Sequence, residues 1–246
     1  MMVLQSFIWG TWMPLVYGYL PSLGFSPLQQ SWILNAFPLA AIAGMFFSNQ
    51  FADRNFAAEK FLAFSHLVGG VAIAGLAFTR SFWPFFGLML AHCLLYVPTM
   101  SICHSITFAH IKDAQKEFGL VRMGGTIGWI LAAWPFTFIL VDWDKVHAEN
   151  PQGIVAWLGT VLSSGLTGPA LHQATRWTYI VAALASLIMA AYSLTLPHTP
   201  PKRGGEAGEK LAWLEALKLL RHRFLLVLWI ITLVDSFVLY CYFNWT

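Results

Sequence analysis

Residues 82–122 read FWPFFGLMLAHCLLYVPTMSICHSITFAHIKDAQKEFGLVR. No Asp, Glu, Lys or Arg falls between 82 and 108, and then Lys112, Asp113, Lys116, Glu117 and Arg122 follow in quick order. A helix needs about 20 apolar residues to cross the hydrocarbon of a bilayer, and this run is longer. It shows no strand alternation. In lipid each backbone N–H and C=O must be satisfied within its own segment, so the stretch is predicted to be a membrane helix that ends in a basic loop.

The same unit recurs on both sides. Spans are predicted at 4–20, 31–52, 61–79, 82–108, 123–141 and 177–196, with a seventh that begins near 224 and runs to Thr246. Pro14, Pro38, Pro98 and Pro135 fall inside spans; neighbouring helices can re-satisfy the carbonyls they free. Lys and Arg total 14. Most sit in alternate gaps: Arg54 and Lys60; Lys112, Lys116 and Arg122; Lys202, Arg203, Lys210, Lys218, Arg221 and Arg223. Basic loops stay on the cytoplasmic side, so the N-terminus and the loops at 53–60, 109–122 and 197–223 are expected inside, and those at 21–30, 80–81 and 142–176 outside.

Composition agrees. The chain is 58% hydrophobic and 10% charged, against about a quarter charged in an ordinary soluble domain. The net charge of +3 is dispersed over loops, which suits anionic lipid and excludes a nucleic-acid footprint. Cys93, Cys103 and Cys241 lie in apolar runs and give neither a disulfide framework nor a metal-ligand spacing. No cofactor is called for.

Three domains are expected. Residues 1–196 form an N-terminal six-helix transmembrane bundle, and 197–223 a cytoplasmic linker; 224–246 are the incomplete first helix of a second bundle. Pro197, Pro200, Pro201, Gly204, Gly205 and Gly208 deny the start of the linker regular structure. Leu211, Leu214, Leu217 and Leu220 then recur at helical spacing, as in an amphipathic helix lying on the inner leaflet. In the third outer loop, 154–166 is apolar yet too short to span, and is expected to be a packed or interfacial segment. Half of a larger repeat is present, so the chain is expected to be an incomplete copy of a longer protein.

Polar groups inside spans are costly and need a reason. The fourth span holds His92, Tyr96, Thr99, Ser101, His104, Ser105 and Thr107. Thr99 and His104 could line a cavity, or the set could serve interhelical hydrogen bonds. The fifth opens with Arg122-Met123-Gly124-Gly125-Thr126-Ile127-Gly128-Trp129. At helical spacing Arg122, Thr126 and Trp129 share a face: a cation, a hydroxyl and an aromatic plane, suited to a flat polar solute. Alternatively Arg122 is an anchor snorkelling to the inner interface, and the glycines merely allow close packing. Asp53-Arg54 is either a solvated loop or a latch that holds one gate conformation, and Asp235 is the acid deep in the seventh span. A membrane-embedded enzyme built on His66, His92, His104 and His110 would need convergent ligands or an acid–base pair, and the sequence offers neither.

Together these pieces resemble bacterial nucleoside:proton symporters of the major facilitator superfamily. The matching segments are Gln5 to Trp12, Ala52-Asp53-Arg54, Tyr96-Val97-Pro98-Thr99 with Ser105-Ile106-Thr107, Arg122 to Gly128, and Leu194 to Pro200. The chain departs from the family pattern at Asn49, at His104 and at Trp129, where Phe is usual. The resemblance implies an all-α membrane protein of two six-helix bundles around a central cavity, with the solute bound near midplane. It implies proton-coupled nucleoside uptake across the bacterial inner membrane, with Arg122, Thr126 and Trp129 on the nucleoside and Asp53 in the gating motif. The alternatives are another small polar solute, such as a sugar or drug-like compound, or a truncated half-protein that does not transport.

Overall fold

The structure is a computed structural model and describes residues 1–44, 55–201 and 218–245. Among these the chain is helical, without a strand; one isolated antiparallel bridge joins Val141 to Gly165. Ten helices are described: α1 (Met2–Ser22), α2 (Pro27–Leu34), α3 (Ala36–Ala43), α4 (Ala58–Leu76), α5 (Phe82–His110), α6 (Ala114–Ile139), α7 (Trp143–Glu149), α8 (Ile154–Ser163), α9 (Gly168–Ser193) and α10 (Arg223–Trp245).

Local chemistry sets their limits. Ser26 and Gln29 form a reciprocal capping box and Pro27 takes the first position, so α2 begins at once after the Gly24 turn, where φ is +76°. Asn35 interrupts the second predicted span. Its side-chain amide donates to Ser31 O at 2.7 Å, and the helix resumes as α3. The Asp113 carboxylate accepts from the backbone N–H groups of Gln115 and Lys116, which starts α6 at Ala114 rather than near 123. Pro169 at the first turn likewise starts α9 ahead of the apolar run expected from 177. Both helices therefore extend into what the charge pattern had assigned to loops.

α1 is the axis of the fold. It packs along α6 on one side and α9 on another, while α4 lies against α5 and α9, and α3 against α5. Trp12, Val16, Leu20, Ile73, Leu76, Phe85 and Met89 fill the core between them, all buried. A second cluster around Ile8, Leu62, Ile102, Ile106 and Met189 continues it towards the other end. Close approach needs glycine here: a Cβ on Gly70 of α4 would lie 2.9 Å from Ser186 Cβ of α9.

The outside of the bundle is apolar. Phe64, Val71, Leu184 and Ile188 are 55–64% exposed, a coat suited to lipid and not to water. Three of the described helices, α4, α5 and α9, are long and apolar enough to cross a membrane. The 154–166 segment becomes α8, short and largely exposed; Val161 is buried with Val141 and Val146 in a small outer cluster. The amphipathic segment around Leu211, Leu214 and Leu217 lies outside the described residues.

Candidate functional site

α6 has two faces of opposite character. Gly124, Gly125 and Gly128 receive α1: a Cβ on Gly124 would meet Val3 Cγ2 at 3.3 Å, one on Gly125 would meet Ser6 Oγ at 3.0 Å, and one on Gly128 would run into the Val3 carbonyl oxygen. Gly10 of α1 answers them, since a Cβ there would stand 3.1 Å from both Trp129 O and Ala132 Cβ. Small residues let the two backbones touch. The packing role proposed for the glycines is thus what the geometry shows.

Arg122 and Thr126 lie on another face of the same helix, and both are exposed. Arg122 sits in the third turn of α6, well inside the helix rather than at its border. Trp129 is half-buried, with its ring edge-on to Trp9 at 5.2 Å and 81° between planes. Trp9 in turn stacks on Phe37 of α3 at 5.0 Å and 4°. His104 of α5 is half-buried with its ring edge against Phe118 of α6, 5.8 Å between centroids. Arg122 and Thr126 thus share one exposed face of α6, while Trp129 rests on Trp9 of α1 and His104 on Phe118.

Thr99 is placed elsewhere. It is fully buried, its hydroxyl donates to Tyr96 O, and it accepts from the Gln5 amide at 2.8 Å. It belongs to a polar knot that sequence reasoning did not assemble. Gln5 Oε1 accepts from His66 Nε2 at 2.9 Å, Gln5 O accepts from the Tyr96 hydroxyl, and His66 Nδ1 lies 3.3 Å from Ser186 Oγ. α1, α4, α5 and α9 meet at this knot, with each of the side chains at most 4% exposed. The signal available was Gln5 itself, an amide isolated in the first apolar run. His92 Nδ1 bonds Gly69 O and His110 Nδ1 bonds Ile106 O. Among the described residues no three His, Cys, Asp or Glu side chains gather as a metal site. Asp53 and Arg54 lie outside the described residues.

Two cavities matter. One of about 20 Å³ is lined by Trp9, Trp12, Tyr17, Phe37 and Cys93, among others, between α1, α2, α3 and α5. The other, about 650 Å³, lies between α1, α2, α3 and α10, where Gln30, Ser31 and Asn35 face Phe237 and Cys241.

YegT of Escherichia coli K12, a candidate nucleoside transporter, is 31% identical over 228 residues, which cover 92% of this chain and 48% of YegT. The xanthosine permease of the same organism is 26% identical over 209 residues, 81% of this chain and 42% of the permease. Nucleoside permease NupG of E. coli K12 is 24% identical over 238 residues, 94% and 50%. The chain thus spans about half the length of these relatives or less. The crystal structure of nucleoside transporter NupG matches the fold with a TM-score of 0.64 at 20% identity, over 93% of this chain and 51% of that one. The family described as Nucleoside H+ symporter matches residues 1–172 and 152–246. With three described helices able to cross a bilayer, the chain is a multi-pass membrane protein and belongs to the nucleoside H+ symporter family.

Proposed function

We propose that the chain forms the N-terminal six-helix bundle of a proton-coupled nucleoside transporter that works by alternating access. α1, α2 with α3, α4, α5, α6 and α9 would be the six spans, α10 the start of the second bundle, and the N-terminus would be cytoplasmic at the inner membrane. Arg122 and Thr126 hydrogen-bond the solute, Trp129 stacks on its base, and His104 adds a polar contact. Asp53-Arg54 acts as the inner latch.

The observation that supports this most is the two-sidedness of α6. Gly124, Gly125 and Gly128 are consumed by α1, yet Arg122 and Thr126 remain exposed on a helix otherwise rich in Ile, Leu, Phe and Trp. A cation and a hydroxyl left uncovered in a membrane helix face a cavity or a partner bundle, because lipid would penalise them. Each ligand drives the exchange between inward and outward states only through its unequal affinity for the two.

The test is uptake of labelled nucleoside by cells making the full-length protein. Arg122→Ala should abolish saturable uptake without reducing the amount inserted, whereas unchanged kinetics would remove Arg122 from the site. Unlabelled sugars should not compete; if they do and nucleosides do not, the solute is a sugar.

A further inference from the structure

Trp9 and Trp12 stand three residues apart on α1, so their side chains share a side of that helix. Both line the 20 Å³ cavity. The Nε1–H of each is buried and has no hydrogen-bond partner among the described residues. Trp12 is only 3% exposed. Its neighbour His92 gives Nδ1 to Gly69 O, and packs edge-on at 5.8 Å without bonding the indole. Buried donors are paired in nearly all folded proteins, and two orphans on residues that line one small space call for an explanation.

We propose that Trp9 and Trp12 form a two-donor subsite for one oxygen acceptor of the solute, the exocyclic keto group of a heteroaromatic base. The cavity admits about one water-sized atom, which suits a single oxygen and not a whole base. Trp9 is also the ring against which Trp129 rests, while Phe37 closes its other face. A base lying on Trp129 would therefore reach the Trp9 ring directly. A keto oxygen accepts from both donors, whereas an exocyclic amine at the same position presents hydrogens to hydrogens and leaves the donors unmatched. Sites built on buried donors reject the analogue that leaves them unpaired.

This inference rests on the reading of Trp129 as the stacking residue, and it is tested so that the two fail separately. Uptake of inosine, with a 6-keto group, and adenosine, with a 6-amino group, is measured for the full-length protein and for Trp9→Phe, which keeps a ring and removes the N–H. The unmodified protein should favour inosine. Trp9→Phe should raise the inosine KM about three- to tenfold, as expected for one lost hydrogen bond, while the adenosine KM falls or holds and the membrane amount is unchanged. Trp12→Phe should act in the same direction. Equal shifts for both nucleosides, no shift, or a preference for adenosine in the unmodified protein would each overturn the subsite. If Trp9→Phe does not fold, Trp12→Phe alone decides. Loss of uptake in Arg122→Ala with no keto selectivity in either Trp variant would leave the transport reading standing and refute this one.

Discussion

Glu59 and His198 are 139 positions apart in sequence and meet at 2.7 Å, carboxylate Oε1 to imidazole Nδ1. The other oxygen accepts from Thr199 N at 3.0 Å, and Ala58 N donates to Thr199 O at 3.0 Å. Glu59 is 5% exposed. The start of α4 is thereby tied to the chain leaving α9, at the place where the predicted linker begins.

Glu59→Leu should therefore loosen this end of the bundle. It leaves the Thr199 N–H and the imidazole without their acceptor, and loss of a charged hydrogen-bond acceptor costs about 1.5–3 kcal/mol. Glu59→Gln keeps an acceptor for Thr199 and should cost less. Thermal unfolding of the detergent-solubilised protein measures both; equal melting temperatures for the two variants would contradict the geometry.

Gly128→Ala should be much worse than Gly87→Ala. A methyl at 128 strikes the Val3 carbonyl, which is backbone and cannot swing aside, whereas nothing lies within 4 Å of a Cβ at 87. Overpacking of this kind costs about 1–3 kcal/mol, while Ala in place of an open helical Gly gains about 0.5–1 kcal/mol. Opposite shifts in melting temperature are expected, with Gly128→Ala lowering the yield of folded protein.

Gln5→Leu should destabilise by about 2 kcal/mol, since it strands the His66 N–H and removes the donor to Thr99. Ser186→Ala should cost less than half as much, its contact to His66 being 3.3 Å long. If Ser186→Ala proves the more damaging, the knot is not centred on Gln5.

Lys112→Cys should react with a membrane-impermeant thiol reagent only after the cells are opened, and Asn150→Cys in intact cells. The exposed Cys241 is first replaced by Ser so that it does not contribute signal. Labelling of position 112 from outside would invert the threading of the whole chain.

Helix positions were largely readable from the sequence, because an apolar run of sufficient length in lipid has one backbone solution. Helix ends were less so. Asp113 and Pro169 extend α6 and α9 beyond their apolar portions by capping, a local signal that hydropathy does not register. Asn35 marks the junction of α2 and α3, where its side chain adds a bond to Ser31 O, and no periodicity announces that. The face of α6 bearing Arg122, Thr126 and Trp129 followed from spacing alone. Thr99 was left between a cavity wall and an interhelical bond, and only the position of Gln5 across the interface shows the bond. Trp9 and Trp12 gave no sign of unmatched N–H groups in the sequence, because only the packing of α1 against α3 and α5 shows which donors lack a partner.

The seam between α1 and α6 lacks any cushion: main chain meets main chain at Val3 and Gly128, with no long side chain between to bend or re-seat. Such a joint resists sliding by small steps, so the two helices are expected to move together. Whatever tilts the arginine-bearing face of α6 is then expected to carry the first turns of α1 with it, and a tag or crosslink fixed to Met1 becomes a handle on the solute-binding face proposed above.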